Sequence, residues 1–215
     1  REAGVKVTHK VPMVSIEDVF SEDAVCAWID KVHAMHPDCT FSVETKIDGL
    51  SMSLRYAKEA DGKLHLQLAE TRGDGLIGED VTANAMVIGD VLQVIDLPYD
   101  SLELRGEVYM SHEDFEKYNE EQERLEKKTA ANPRNLAAGT LRQLDTSITK
   151  KRGLEMFIFN VQDGPAEIME SHSKGMDILK AAGVPVVYHK ICKTKDEVVS
   201  AIDEIGRMRE ELPYD

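Results

Sequence analysis

Lys46 stands between two carboxylates in the run Glu44-Thr45-Lys46-Ile47-Asp48-Gly49. If residues 43–48 are extended, side chains alternate between faces, so Glu44, Lys46 and Asp48 share one face while Val43, Thr45 and Ile47 share the other. A lysine held there is a candidate nucleophile. At its ordinary pKa only about one ammonium in 2,500 is neutral at pH 7, so burial or a neighbouring cation would have to raise that fraction. Gly49 allows a turn and the close approach of a ligand. A solvated strand face has the same pattern, and these residues alone leave both readings open.

Three further stretches combine charge with glycine or small residues. In Thr71-Arg72-Gly73-Asp74-Gly75-Leu76-Ile77-Gly78-Glu79-Asp80, three glycines fall within six residues. They permit backbone amides to face a phosphate, with Arg72 adding charge. The Gly-Lys-Ser/Thr ending of a P-loop is missing, and a plain glycine-rich hairpin loop is the alternative. In Leu102-Glu103-Leu104-Arg105-Gly106-Glu107-Val108-Tyr109, the charged residues alternate onto one strand face. That row suits either ribose hydroxyls or a cross-strand ion-pair ladder. The last stretch runs from Asn132-Pro133-Arg134-Asn135 to Arg142-Gln143-Leu144-Asp145. Arg134 and Arg142 are eight residues apart, about two helical turns, and on one helix side they suit phosphate. Lys127, Lys128, Lys150, Lys151 and Arg152 make this the basic region of the chain.

The elements that must carry these residues can be read from periodicity. Ser21 caps a predicted helix to about His36, with Val25, Trp28, Ile29 and Val32 at spacings of three and four. Strands are expected at about 41–47, 51–57, 64–70, 91–96, 102–110, 154–161 and 186–188. Asp61-Gly62 marks a hairpin between the second and third of these. Ser111-His112-Glu113-Asp114 and Thr194-Lys195-Asp196-Glu197 are capping boxes, and further helices are predicted near 80–87, from Asn135 to Leu144, and over 173–182. Hairpins with inserted helices predict an α+β fold of antiparallel sheets flanked by helices.

The 215 residues suit one large domain or two small lobes, and a net charge of −14 argues against a protein that coats nucleic acid non-specifically. Cys26, Cys39 and Cys192 are scattered and form no Cys-x-x-Cys pair, which fits a reducing cytoplasm and gives no metal site. No apolar run approaches the roughly 20 residues of a membrane helix. The N-terminus has no signal-peptide pattern and no initiator methionine, so a domain cut from a longer chain is expected.

Taken in order, these stretches resemble the adenylation domain of bacterial NAD+-dependent DNA ligases. Lys46-Ile47-Asp48-Gly49 is similar to the family's nucleotidyltransferase motif I, and Leu104-Arg105-Gly106-Glu107-Val108-Tyr109 to its motif III. The loop at 71–82, the run 132–145 and the lead-in His9-x-x-Pro12-Met13-Val14-Ser15-Ile16 also match. The resemblance covers residues 1–215, with residues 1–40 as a leading segment and helix, and implies the nucleotidyltransferase fold shared by DNA ligases and capping enzymes.

The resemblance implies that Lys46 attacks the α-phosphate of NAD+, releasing nicotinamide mononucleotide and keeping AMP, and that Asp48 orients it. It places Glu44 at the adenine, Glu107 and Arg72 on the nucleoside and phosphate side, and Ser15 and Ile16 against the nucleotide. Arg134 and Arg142 would serve nicked DNA or the phosphates. Mg2+ is implied at the diphosphate, with no ligands assigned. The implied partner is nicked double-stranded DNA in replication and repair, with a cytoplasmic monomer as the acting form. The family's small preceding domain and its later strand with a second lysine have no counterpart here. Truncation at both ends is therefore expected, with weak or no activity of this chain alone. A non-catalytic nucleotide- or DNA-binding module derived from such a ligase is the rival reading. An ATP-dependent ligase or capping-type enzyme is another, against which the loop at 71–82 and the run 132–145 speak.

Overall fold

The computed structural model describes residues 4–215, so the first three residues of the leading segment lie outside the described residues. The first half of the chain forms β1 (Lys6–Thr8), α1 (Glu22–Met35), β2 (Phe41–Glu44), β3 (Leu50–Lys58), β4 (Leu64–Thr71), β5 (Ile77–Glu79), α2 (Thr82–Ala85), β6 (Val94–Ile95) and β7 (Ser101–Tyr109). The second half forms α3 (His112–Arg124), α4 (Pro133–Leu141), α5 (Thr146–Arg152), β8 (Glu155–Asp163), α6 (Ala166–Met169), α7 (His172–Ala181), β9 (His189–Cys192) and α8 (Lys195–Met208). The paired strands are antiparallel, and the fold is α+β. Two compact units result. One comprises the chain up to Met13 with Ile47–Val186 and Pro213–Asp215, and the other comprises Val14–Lys46 with Val187–Leu212. The first 40 residues are thus shared between the units.

The larger unit is built on a sheet of order β6-β4-β3-β7-β8. Period-two alternation gives it two unlike faces. Met52, Leu54 and Tyr56 of β3 and Leu102, Leu104 and Val108 of β7 turn into a core with Ala85, Leu136, Leu141, Ile168, Met176 and Leu179 from the helices. Each large side chain buried there contributes about 1.5–3 kcal/mol. On the opposite face the register sets Ser51 against Glu107, Ser53 against Arg105 and Arg55 against Glu103, with Glu70 of β4 on the other side of Ser53. The leading segment is tied to this polar face by Arg55 Nη2 to the Thr8 carbonyl (3.2 Å) and Arg105 Nη2 to the Pro12 carbonyl (3.3 Å). Lys10 also pairs with Asp163. Further along, β1 pairs with β5.

The smaller unit packs α1 and α8 on the β2–β9 pair. Ile29, Phe41, Cys192, Val198 and Ala201 form its core, and Trp28 meets the Phe41 ring edge-on at 5.5 Å. The caps read from sequence are present: the Ser21 hydroxyl accepts from the Ala24 amide, and the Thr194 hydroxyl from the Glu197 amide, each at 3.2 Å.

Several predicted boundaries move. The strand expected over 41–47 ends at Glu44, and beyond it the Thr45 amide bonds the Tyr188 carbonyl at 3.2 Å. Glu44, Lys46 and Asp48 therefore do not form one strand face. The strand expected at 186–188 lies instead at His189–Cys192, where pairing with β2 fixes it. Helix α5 was not predicted, and α4 begins at Pro133 behind an Asn132 cap.

Candidate functional site

The smaller unit carries Ser15, Ile16, Glu44 and Lys46. Ser15 and Ile16 are exposed on the stretch that precedes α1. Glu44 closes β2, half-buried, and accepts from the Ser42 hydroxyl at 2.7 Å. Lys46 follows as an exposed side chain between buried Thr45 and buried Ile47.

The larger unit carries Asp48, Arg72, Glu107, Arg134 and Arg142. They gather at the end of the sheet where β3 begins and both β4 and β7 end. The Asp48 amide donates to the Asp215 carbonyl at 2.9 Å, and the Asp48 carboxylate meets Arg134 Nη1 at 3.3 Å. Gly49 is required by packing: a Cβ there would lie 2.1 Å from the Val108 carbonyl oxygen. The glycine thus lets β3 close on β7. One residue into β3, the Ser51 hydroxyl donates to Glu107 at 2.8 Å. Ser51 faces Glu107 on one side and adjoins, on the other, the end of β4 that leads into Arg72.

The glycine-rich loop is tied to itself through Asp74 and to the leading segment, whose His9 and Met13 amides donate to the Leu76 and Gly75 carbonyls at 2.8 Å each. The Asp74 carboxylate accepts from the amides of Leu76 (2.9 Å) and Ile77 (2.7 Å), and the Gly75 amide donates to the Arg72 carbonyl (3.0 Å). Those amide bonds hold the Asp74 carboxyl below the usual range. The amides of Gly75, Leu76 and Ile77 are thus spent inside the loop, and Arg72 carries the loop's positive charge. Gly73, at a φ of +57°, has no room for a Cβ, which would meet the Ile77 carbonyl at 1.9 Å.

Both arginines of the 132–145 run are engaged with carboxylates. Arg134, in the first turn of α4, meets Asp48, and Arg142, just past its end, meets Glu79 of β5 at 2.7 Å. What holds the end of α4 is a residue the sequence reading passed over. Buried Asn84 donates to the carbonyls of Leu141 (2.8 Å) and Gln143 (2.7 Å) and accepts from Thr149 (2.8 Å). Its one sequence signal is an amide set between two alanines in a short helix.

The Glu103–Arg105 row resolves largely as an ion-pair ladder. Glu103, 3% exposed, accepts from Ser53 at 2.8 Å and lies 4.0 Å from Arg55 Nε. Arg105 is also buried, and that burial lowers its pKa. Of the row, only Glu107 stands half-buried at the sheet's end. Among the described residues no group of three or more histidine, cysteine, aspartate or glutamate side chains is arranged to hold a metal ion.

The chain thus supplies an exposed lysine two residues before Asp48, together with carboxylates and arginines gathered at a sheet end. Those are the residue types a covalent nucleotidyl carrier needs. The sequence matches the family model of the NAD-dependent DNA ligase adenylation domain over residues 3–215, and the chain belongs to that family. A DNA ligase of Clostridium kluyveri is 44% identical over 210 residues, covering 97% of this chain and 31% of the relative. A DNA ligase of Thermoanaerobacter sp. (strain X514) is 42% identical over the same share, and one of Acholeplasma laidlawii is 37% identical over 215 residues. The chain spans about a third of the length of the curated relatives it matches, 31–32%.

Proposed function

We propose that residues 1–215 are the adenylation domain, of nucleotidyltransferase fold, of an NAD+-dependent DNA ligase, and that Lys46 is its covalent nucleophile. The observation that carries the reading is the family match over residues 3–215, which includes the run Lys46-Ile47-Asp48-Gly49. In the proposed reaction the neutral Lys46 Nζ attacks the α-phosphorus of NAD+. A P–N bond forms, the P–O bond to nicotinamide mononucleotide breaks, and that mononucleotide leaves with its phosphate. The AMP then passes to the 5′-phosphate of nicked double-stranded DNA, and the 3′-hydroxyl at the nick displaces it.

In this reading Glu44 and the stretch through Ser15 and Ile16 contact the adenine side, while Glu107 and Arg72 serve the nucleoside and phosphate. Arg72 stabilises charge where it develops, and such stabilisation supplies most of the acceleration in phosphoryl-type transfers. Asp48 fixes the backbone next to Lys46 and holds Arg134, which with Arg142 faces phosphates of the nucleotide or of DNA. Mg2+ belongs to the reading as a counter-ion of the diphosphate. Among the described residues no three histidine, cysteine, aspartate or glutamate side chains are arranged to hold it; bound with the nucleotide, the ion would offset the diphosphate's charge.

No helix among the described residues is long and apolar enough to cross a membrane, and we take the acting form as a cytoplasmic monomer. Incubation of the full-length protein with NAD+ and Mg2+, followed by peptide mapping, tests the reading. One AMP on Lys46 is expected, and AMP on another residue or none at all would refute it.

A further inference from the structure

Among the buried titratable side chains that the proposed chemistry does not use is His9. His9, in the leading segment, has a side chain with no exposed surface, and the glycine-rich loop folds around it. Its Nε2 donates to the Arg72 carbonyl at 3.0 Å, where the loop begins, and its amide donates to the Leu76 carbonyl at 2.8 Å. A Cβ on Gly78, where the loop ends, would lie 3.0 Å from the imidazole. On the other side of the ring, Nδ1 lies 3.0 Å from Glu70 Oε1, a close contact that is not aligned as a hydrogen bond. That same Glu70 oxygen takes Arg55 Nη2 at 2.6 Å, and Arg55 leads on to Glu103. The ring therefore spans from a fixed ion-pair row to the backbone of the residue whose side chain is assigned to the nucleotide.

We propose that His9 is a positioning residue that acts through Arg72. By holding the Arg72 carbonyl while its buried ring packs beside Glu70, it sets the direction in which the guanidinium leaves the loop. The inference rests on the function proposed above. An ordinary core histidine would fill the same space, but its loss would lower stability without depending on Arg72. A displacement of about 1 Å in a group that meets the transition state costs up to about a hundredfold in rate, which gives a positioning role its measurable size.

The test is a double-mutant cycle in the full-length protein. The rate of AMP transfer from NAD+ to Lys46 is followed in single turnover with Mg2+ at saturating NAD+. His9→Phe keeps the ring and removes the donor, and it is expected to slow the transfer about tenfold while Arg72 is present. In an Arg72→Ala background the same change is expected to cost about twofold at most, because the group it acts through is gone. His9→Gln, whose amide donates to the same carbonyl, is expected to recover most of the rate. Equal slowing in both backgrounds, no slowing, or no recovery by glutamine would overturn the proposal. Should His9→Phe not fold, His9→Asn, too short to reach the carbonyl, takes its place with the same outcomes. If the unmutated protein forms no adduct, the functional reading falls and this role with it. An adduct with additive losses removes the role of His9 alone.

Discussion

Arg134, in the first turn of α4, holds its guanidinium 3.3 Å from the carboxylate of Asp48, two residues after Lys46. The side chains are 63% and 53% exposed, so the pair is screened by water. Arg134→Ala should therefore change stability by less than about 1 kcal/mol. In the proposed function it should nevertheless slow nick sealing at least about tenfold, because its partners there are phosphates. Thermal unfolding beside a sealing assay separates the two effects. A large stability loss with sealing intact would make Arg134 a structural residue.

Asn84 is expected to behave in the opposite way. Its three hydrogen bonds, two of them buried and one part-buried, join α2 to the end of α4 and to Thr149. Asn84→Ala takes the side-chain donor from the Leu141 and Gln143 carbonyls, while the Thr149 hydroxyl keeps the Thr140 carbonyl at 3.0 Å, and should cost about 2–4 kcal/mol. Urea unfolding reads the loss, and a change within experimental error would mean those groups have other partners.

The Arg55–Glu70 pair offers a sharper test of the polar sheet face. Glu70 is fully buried and Arg55 mostly so. Removing one partner leaves an uncompensated charge, so Arg55→Leu should cost about 3–5 kcal/mol. Adding Glu70→Leu should return much of that loss, since an apolar pair carries no desolvation penalty. If the double variant is no more stable than Arg55→Leu, the charge argument fails.

Glu155 sets a pH dependence. Burial raises its pKa first, and repulsion from Asp90 adds to that, against a hydrogen bond with Tyr109. A carboxyl whose pKa is raised on folding holds its proton more tightly in the folded chain, so its ionisation removes stability as pH rises above the usual carboxylate range. Glu155→Gln, which still accepts from Tyr109, should stabilise the protein at about pH 8 and lose that advantage toward about pH 4. Urea unfolding at both pH values checks this, and an equal gain at each would rule out ionisation as the cause.

Local signals carried much of the fold. The caps at Ser21, Ser111 and Thr194 and the turn at Asp61-Gly62 depend on neighbours a few residues away, and they form where periodicity places them. Errors fell where distant pairing decides. β9 lies at His189–Cys192 because those residues pair with β2, about 150 residues earlier in the chain. α5 is short and polar, Thr-Ser-Ile-Thr-Lys-Lys-Arg, with little apolar periodicity to read. For the site, residue types and motifs were legible but partners were not. Arg142 meets Glu79 and Arg134 meets Asp48 across more than 60 residues, and His9 enters the loop of Arg72 across a similar gap.

If Lys46 is the nucleophile, Lys46→Arg in the full-length protein abolishes the adduct. A guanidinium keeps the charge but stays protonated and cannot attack phosphorus. Intact mass after incubation with NAD+ and Mg2+ should show a gain of one AMP on the unmutated protein and none on the variant, with thermal stability within about 0.5 kcal/mol for an exposed side chain. A one-AMP gain on the Lys46→Arg protein would mean that another residue is the nucleophile.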